Sequence, residues 1–151
     1  MFARLTRIHP GLILAALAII GVAVSSYLSI VELAGAVPVC GPLQGCEEVA
    51  GSEYAWIGPI PVAVSGILFS IVLLVAALGW WKSGDRRLLA TYYLLSLIGL
   101  IFEGYLVYLQ VFVIEAICIW CVVYGISLGL GFVIALGAWL RGNRVPADAG
   151  W

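Results

Sequence analysis

Residues 82–87 read K-S-G-D-R-R, the most densely charged stretch in the chain, and they stand between two long apolar runs. Residues 60–81 before it carry no charged side chain, and residues 88–113 after it carry one, Glu103. At 1.5 Å of rise per residue, about 20 apolar residues cross the roughly 30 Å of hydrocarbon in a bilayer, so each run is long enough to span. Working outward, residues 11–33 and 116–140 meet the same test. The expected fold is an all-α integral membrane protein, a bundle of four transmembrane helices in one membrane domain covering residues 1–151. The 34–59 segment forms an outer capping loop in this reading. Spans three and four meet at a very short turn near Ile114–Glu115, which makes them antiparallel neighbours.

Composition agrees. The 151 residues are 64% hydrophobic and 10% charged, with mean hydropathy +1.17, whereas soluble domains carry about 25% charged residues. The net charge of −1 and the lack of a basic stretch give no footing for nucleic acid. The seven basic residues fall into three groups: Arg4 and Arg7, then Lys82, Arg86 and Arg87, then Arg141 and Arg144. With an even number of spans all three groups lie on one side, and the positive-inside rule makes that side cytoplasmic. Both termini are then cytoplasmic, and the loop and the 113–116 turn face outward with Glu32, Glu47, Glu48, Glu53 and Glu115. The first apolar stretch is longer than the 7–15 residues of a secretory h-region, so it reads as a span rather than a cleaved signal. Trp80, Trp81 and Trp139 at inner ends, with Tyr54, Trp56 and Trp120 at outer ends, fit interfacial belts.

This topology brings all four cysteines to the outer side. Cys40 and Cys46 lie in the loop, in C-G-P-L-Q-G-C, and Cys118 and Cys121 occupy the first turns of span four, in E-A-I-C-I-W-C-V-V. An extracytoplasmic space permits disulfides, so two pairs facing it can exchange. A helix N-terminus stabilises a thiolate at Cys118. Cys121, three residues on, shares its face one turn deeper, with Glu115 and Tyr124 extending that face. The first thiol is thus set to meet water-borne exchange and the second to meet something in the lipid. G-V-A-V-S-S-Y-L (21–28) and G-L-I-F-E-G-Y-L (99–106) share Gly, Tyr and Leu at an offset of 78, which also carries Cys40 onto Cys118.

Other readings of these residues compete. Two inert disulfides are a weak reading, since a C-x-x-C closes too short a loop to remove much chain entropy. Structural zinc lacks an outer histidine, because His9 is cytoplasmic; a soft-metal carrier passing ions between thiol pairs is the stronger metal reading. The same lack of an outer histidine argues against Cys/His hydrolysis. Glu103, inside span three, is a functional candidate or a hydrogen-bonded group facing the bundle. Glu32, Glu115, Glu47, Glu48 and Glu53 read as solvated. Ser25, Ser26, Gly21, Gly66 and Gly99 read as contacts for close helix packing, and Tyr27, Tyr105 and Tyr108 as packing or interface residues.

Taken in order, these motifs resemble the vitamin K epoxide reductase family, especially its bacterial members. The loop pair Cys40 and Cys46 comes first, then S-E-Y-A-W-I-G-P-I-P-V-A-V-S-G (52–66), G-Y-L (104–106) and F-V-I-E-A-I-C-I-W-C (112–121). The resemblance covers nearly residues 11–140. It implies a four-helix bundle around a quinone, with Cys121 next to the quinone and Cys118 exchanging with the Cys40/Cys46 shuttle. Ser52 matches a family serine that steadies the shuttle or polarises the ligand, and Tyr54, Pro61 and Tyr124 join Cys121 as expected quinone contacts. Eukaryotic members place a tyrosine where this chain has Gly125, one residue after Tyr124. The chain resembles homologues without a fused thioredoxin-like domain, which makes the thioredoxin-like partner a separate protein.

The function this implies is a disulfide-forming oxidoreductase of the plasma membrane. It passes electrons from that partner through Cys40/Cys46 and Cys118/Cys121 to a quinone of the menaquinone, ubiquinone or vitamin K type, with no metal. Vitamin K epoxide reduction in an endoplasmic-reticulum membrane uses the same cysteine order and stands second, and the soft-metal carrier is the non-enzyme alternative. An unrelated four-span quinone-linked oxidase carries its two cysteine pairs in the reverse order.

Overall fold

The computed structural model describes residues 10–36, 53 and 56–144. Helix α1 (Pro10–Leu33) opens on a proline, whose missing N–H costs nothing in a first turn. A two-residue antiparallel hairpin, β1 (Trp56–Ile57) and β2 (Ile60–Pro61), leads into α2 (Val62–Ser83). Gly84 ends α2 in the left-handed region (φ 68°), and its N–H donates to the Trp80 carbonyl at 2.8 Å. Asp85 then caps α3 (Arg86–Tyr108), its side chain accepting the Arg87 N–H at 2.9 Å. These two caps shrink the polar turn of K-S-G-D-R-R to Gly84–Asp85, because each satisfies backbone groups that a helix end otherwise leaves unpaired. The span boundaries expected at 81 and 88 accordingly move outward to 83 and 86.

Helix α3 does not stop cleanly. It widens into a π-helical turn, Leu109–Ile114, and ends at Glu115, a non-glycine residue held at φ 59°. The Gln110 carbonyl accepts both the Glu115 and the Ala116 N–H groups. Helix α4 (Ile119–Arg144) begins three residues beyond the expected position 116.

Four helices are long and apolar enough to cross a membrane, and the protein is a multi-pass membrane bundle of all-α type. α1 packs against α2 and α4, and α3 packs against the same two, closing a ring. Isoleucines, leucines and valines such as Ile19, Ile30, Leu68, Val75, Ile98, Ile101 and Val133 are exposed around its outside, as hydrocarbon contact requires. The close-packed core lies toward the end that carries the basic residues. Leu14 and Ala18 of α1, Leu73, Ala77 and Trp80 of α2, Leu89 and Tyr92 of α3, and Ala135 of α4 form it.

Two expectations about tryptophans change here. Trp80 is no belt residue: it is 4% exposed, inside that core. Its neighbour Trp81 does face outward. Trp139 works as a clasp, since the Arg86 guanidinium stands 4.2 Å over its ring and donates to its carbonyl at 3.2 Å, tying the start of α3 to the end of α4. α1 and α2 approach closely at two small residues. A Cβ at Gly21 would come within 2.7 Å of Ser70 Oγ, and one at Gly66 within 2.7 Å of Ser25 Oγ. Small side chains at such crossings let backbones meet where lipid offers no hydrophobic drive.

Candidate redox site

At the opposite end the four helices part around a cavity of about 390 Å³, within the range of small-molecule sites. Leu28 of α1, Phe69 of α2, Phe102 and Leu106 of α3 and Leu128 of α4 give it apolar walls. Its polar groups are few: Ser25, Glu32, Ser65, Glu103, Gln110, Cys121 and Tyr124.

Cys118 lies just before α4 rather than within its first turn. The Val122 N–H donates to its carbonyl at 3.1 Å, which makes Cys118 the N-cap residue. Its sulfur accepts the backbone N–H groups of Trp120 and Cys121 and also the thiol of Cys121. The thiol hydrogen bond from Cys121 is the largest cause lowering Cys118 from 9.0 to about 7; burial opposes it and the two backbone donors reinforce it. The helix N-terminus thus favours a thiolate through specific N–H groups. Cys118 is 2% exposed, while Cys121 lines the cavity. The i, i+3 spacing therefore holds one sulfur at the cap and the other at the cavity wall.

A residue outside the expected site secures this geometry. Gln110, on the π-helical turn and 4% exposed, accepts the Cys118 N–H on its side-chain oxygen at 3.0 Å. Together with its doubly used carbonyl, it binds the end of α3 to the start of α4. The only sequence signal was a lone amide in an apolar span. The π-turn also follows from the tight corner, since a wider turn re-aims side chains and such turns recur at functional sites.

The carboxylates depart from expectation. Glu103 is 7% exposed and faces the bundle interior on the cavity wall, but its Oε1 has no hydrogen-bond partner among the described residues. Glu32, read as solvated, also lines the cavity, and its Oε2 is buried without a hydrogen-bond partner among the described residues. The final turn of α1 extends beside the cavity mouth, which turns this side chain inward. Glu115 is exposed but sits on the left-handed corner, so it does not extend the Cys118–Cys121 face.

The remaining expected site residues fall in three places. Tyr124 lines the cavity, with its hydroxyl 3.2 Å from Ser70 Oγ. Pro61 is fully buried at the start of α2, outside the cavity lining. Cys40, Cys46, Ser52 and Tyr54 lie outside the described residues, as does the Cys40 half of the offset-78 repeat. Among the described residues, no three His, Cys, Asp or Glu side chains converge as a metal set.

Against models of known protein families, residues 12–136 match that of the vitamin K epoxide reductase family. The match takes in all four spans, the cavity and the C-x-x-C. A bundle with a cysteine pair bridging a helix cap and an apolar cavity thus has its counterpart in sequence: the chain belongs to the vitamin K epoxide reductase family, and is a membrane oxidoreductase of the disulfide-forming or quinone-linked kind.

Proposed function

We propose that this protein makes disulfides outside the cytoplasm by passing electrons from a thioredoxin-like partner, through Cys40/Cys46 and then Cys118/Cys121, to a quinone in the plasma membrane. The observation that carries the reading is the placement of Cys121, on the wall of an apolar cavity of about 390 Å³ and hydrogen-bonded to Cys118 at the helix cap. The cavity fits the head of a quinone: its walls are apolar, and its few polar groups include two carboxyl oxygens without partners among the described residues. When bound, a quinone supplies an acceptor for two electrons and two protons.

The chain's own residues do the rest. The partner's thiolate attacks the Cys40–Cys46 disulfide through a mixed disulfide, and the reduced loop pair then opens Cys118–Cys121. Cys118, held by backbone N–H groups, is the sulfur that exchanges with the loop. Cys121 faces the cavity, and its sulfur closes back onto Cys118 as two electrons leave. Leu28, Phe69 and Phe102 exclude water from that step. Tyr124 bounds the ring site and Pro61 sets the entry to α2, while Ser52 steadies the shuttle cysteines or polarises the quinone and Tyr54 contacts it, as the family resemblance implies. The grouping of the seven basic residues supports a topology with both termini in the cytoplasm and the cysteine end outside.

Anaerobic mixing of the protein with a quinone and a reduced thioredoxin-like protein tests this reading. Quinol should form, and Cys121→Ala should stop it. No quinol from the wild type, or full activity in Cys121→Ala, defeats it.

A further inference from the structure

The electron route leaves two cavity side chains without a task. Glu103 of α3 is 7% exposed, and its Oε1 is buried with no hydrogen-bond partner among the described residues. Glu32 of α1 presents a buried, unpartnered Oε2 to the same cavity. These are the only two buried side-chain oxygens or nitrogens without a partner among the described residues, and Cys121 lies on the wall between their helices. Leaving a buried polar atom unpaired is destabilising, and helix packing alone gives no reason to bear that cost twice in one place.

The fit of Glu103 is specific. Its carboxyl lies against α4 at Gly125, where an added Cβ would stand 3.1 Å from both its Cγ and its Oε1. Among the described residues the titratable groups around it are Glu32 from α1, Cys118 at the cap of α4, and Cys121 and Tyr124 from α4; α2 presents Ser65 but no titratable side chain. Among the described residues, no lysine or arginine lines the cavity to fix either carboxyl as one arm of an ion pair.

We propose that Glu103 is the proton-transfer residue of this cavity and that Glu32 relays protons to it from the cysteine end. The inference rests on the quinone-linked reading above. Closing the Cys118–Cys121 bond releases two electrons from the two sulfurs, and making a quinol from a quinone takes those electrons and two protons. In the form with Cys118 as the thiolate, the pair holds one proton, on Cys121. The Glu103 carboxyl gives the second, so that thiolate, thiol, carboxyl and quinone become disulfide, carboxylate and quinol, with the single negative charge moved from Cys118 to Glu103. Glu32, which reaches the cavity from the last turn of α1, then returns a proton to Glu103. Cys118 is lowered to about 7 by its hydrogen bonds, so in its thiolate form the pair is one proton short of what a quinol takes.

The test uses the full chain, prereduced and mixed anaerobically with menadione across a pH series. Glu103→Gln should slow quinol formation by about 10²–10⁴-fold, the usual worth of a positioned acid, while affinity for menadione is retained. Glu103→Asp should restore part of the rate, and Glu32→Gln should slow it by a smaller factor. Independently of turnover, the infrared spectrum without menadione should show a neutral-carboxyl band that Glu103→Gln removes and Gly125→Ala shifts. A rate in Glu103→Gln within about twofold of wild type, far below that worth, overturns the inference, as does a carboxyl band untouched by the substitution. Should Glu103→Gln fail to fold, Glu103→Asp and Gly125→Ala carry the same comparison. If the wild type forms no quinol, the quinone-linked reading itself fails. If it does and Glu103→Gln matches it, only the proton assignment falls.

Discussion

The two ends of this bundle are built from the same four helices and solve opposite problems. At the basic end, Ala15, Ala18, Ala76, Ala77 and Ala135 let the helices close on one another around Leu14, Leu73, Trp80 and Tyr92, and little space remains. At the cysteine end, Phe69, Phe102 and Leu28 stand around a cavity instead of meeting across the axis, and the two buried polar side-chain atoms without partners among the described residues are found there. The tight end sets helix spacing, so the open end can keep an apolar hollow without collapsing. Stability and chemistry are thus separated along the helix axis, and substitutions at the two ends should have different signatures.

The largest expected effect is at the cysteine end. Cys121→Ala should abolish quinol formation while leaving helical circular dichroism unchanged, because the residue is on the cavity wall and outside the packed core. Loss of fold in this variant would erase the distinction between the ends. Filling the hollow comes next. Ala63→Leu, on the cavity wall, should weaken quinone affinity about tenfold, equivalent to about 1.4 kcal/mol, with little change in detergent-unfolding stability. The converse substitution sharpens the contrast. Ala77→Leu, at a fully buried core position, should cost about 1–3 kcal/mol through overpacking and leave affinity unaltered. Reversal of these two outcomes would show that the ends are coupled.

Smaller effects probe the corner that joins α3 to α4. Gln110→Leu removes the acceptor for the Cys118 N–H and should cost about 1–3 kcal/mol, with slower exchange between Cys118 and a dithiol. The mildest is a pH effect. With Cys118 lowered to about 7, its thiolate is populated above that value and lost below it, so exchange should slow as pH falls through about 7. Thiolate ultraviolet absorbance of the reduced protein should titrate there, and in Cys121→Ala the midpoint should rise, since the Cys121 thiol is the main stabilising donor.

Much of this organisation was legible in the chain. Hydrocarbon thickness dictates segment length, so four spans follow from runs of apolar residues with very few interruptions. The Cys118–Cys121 spacing predicts one sulfur toward the helix end and one deeper, and the structure keeps that arrangement with Cys118 moved to the cap. The helix ends were less legible: Lys82, Ser83 and Arg86 read as turn residues, yet Gly84 and Asp85 cap so well that all three stay helical. Trp80 read as a belt residue from its position along the sequence, but rotation about α2 puts it in the core. Glu32 read as solvated because depth can be inferred from sequence, whereas the direction in which a side chain points within a four-helix ring cannot.

Local composition and spacing along one chain suffice for the membrane, the number of spans, the family and the nearness of Cys118 to Cys121. Tertiary structure alone decided where the helices separate, that Gln110 holds the Cys118 N–H, and that Glu32 and Glu103 share one cavity with Cys121. Those relations join residues from different helices, and they depend on helix rotation and crossing distance. Both are set by close packing at the far end of the bundle, which an all-round apolar helix leaves unmarked in its sequence.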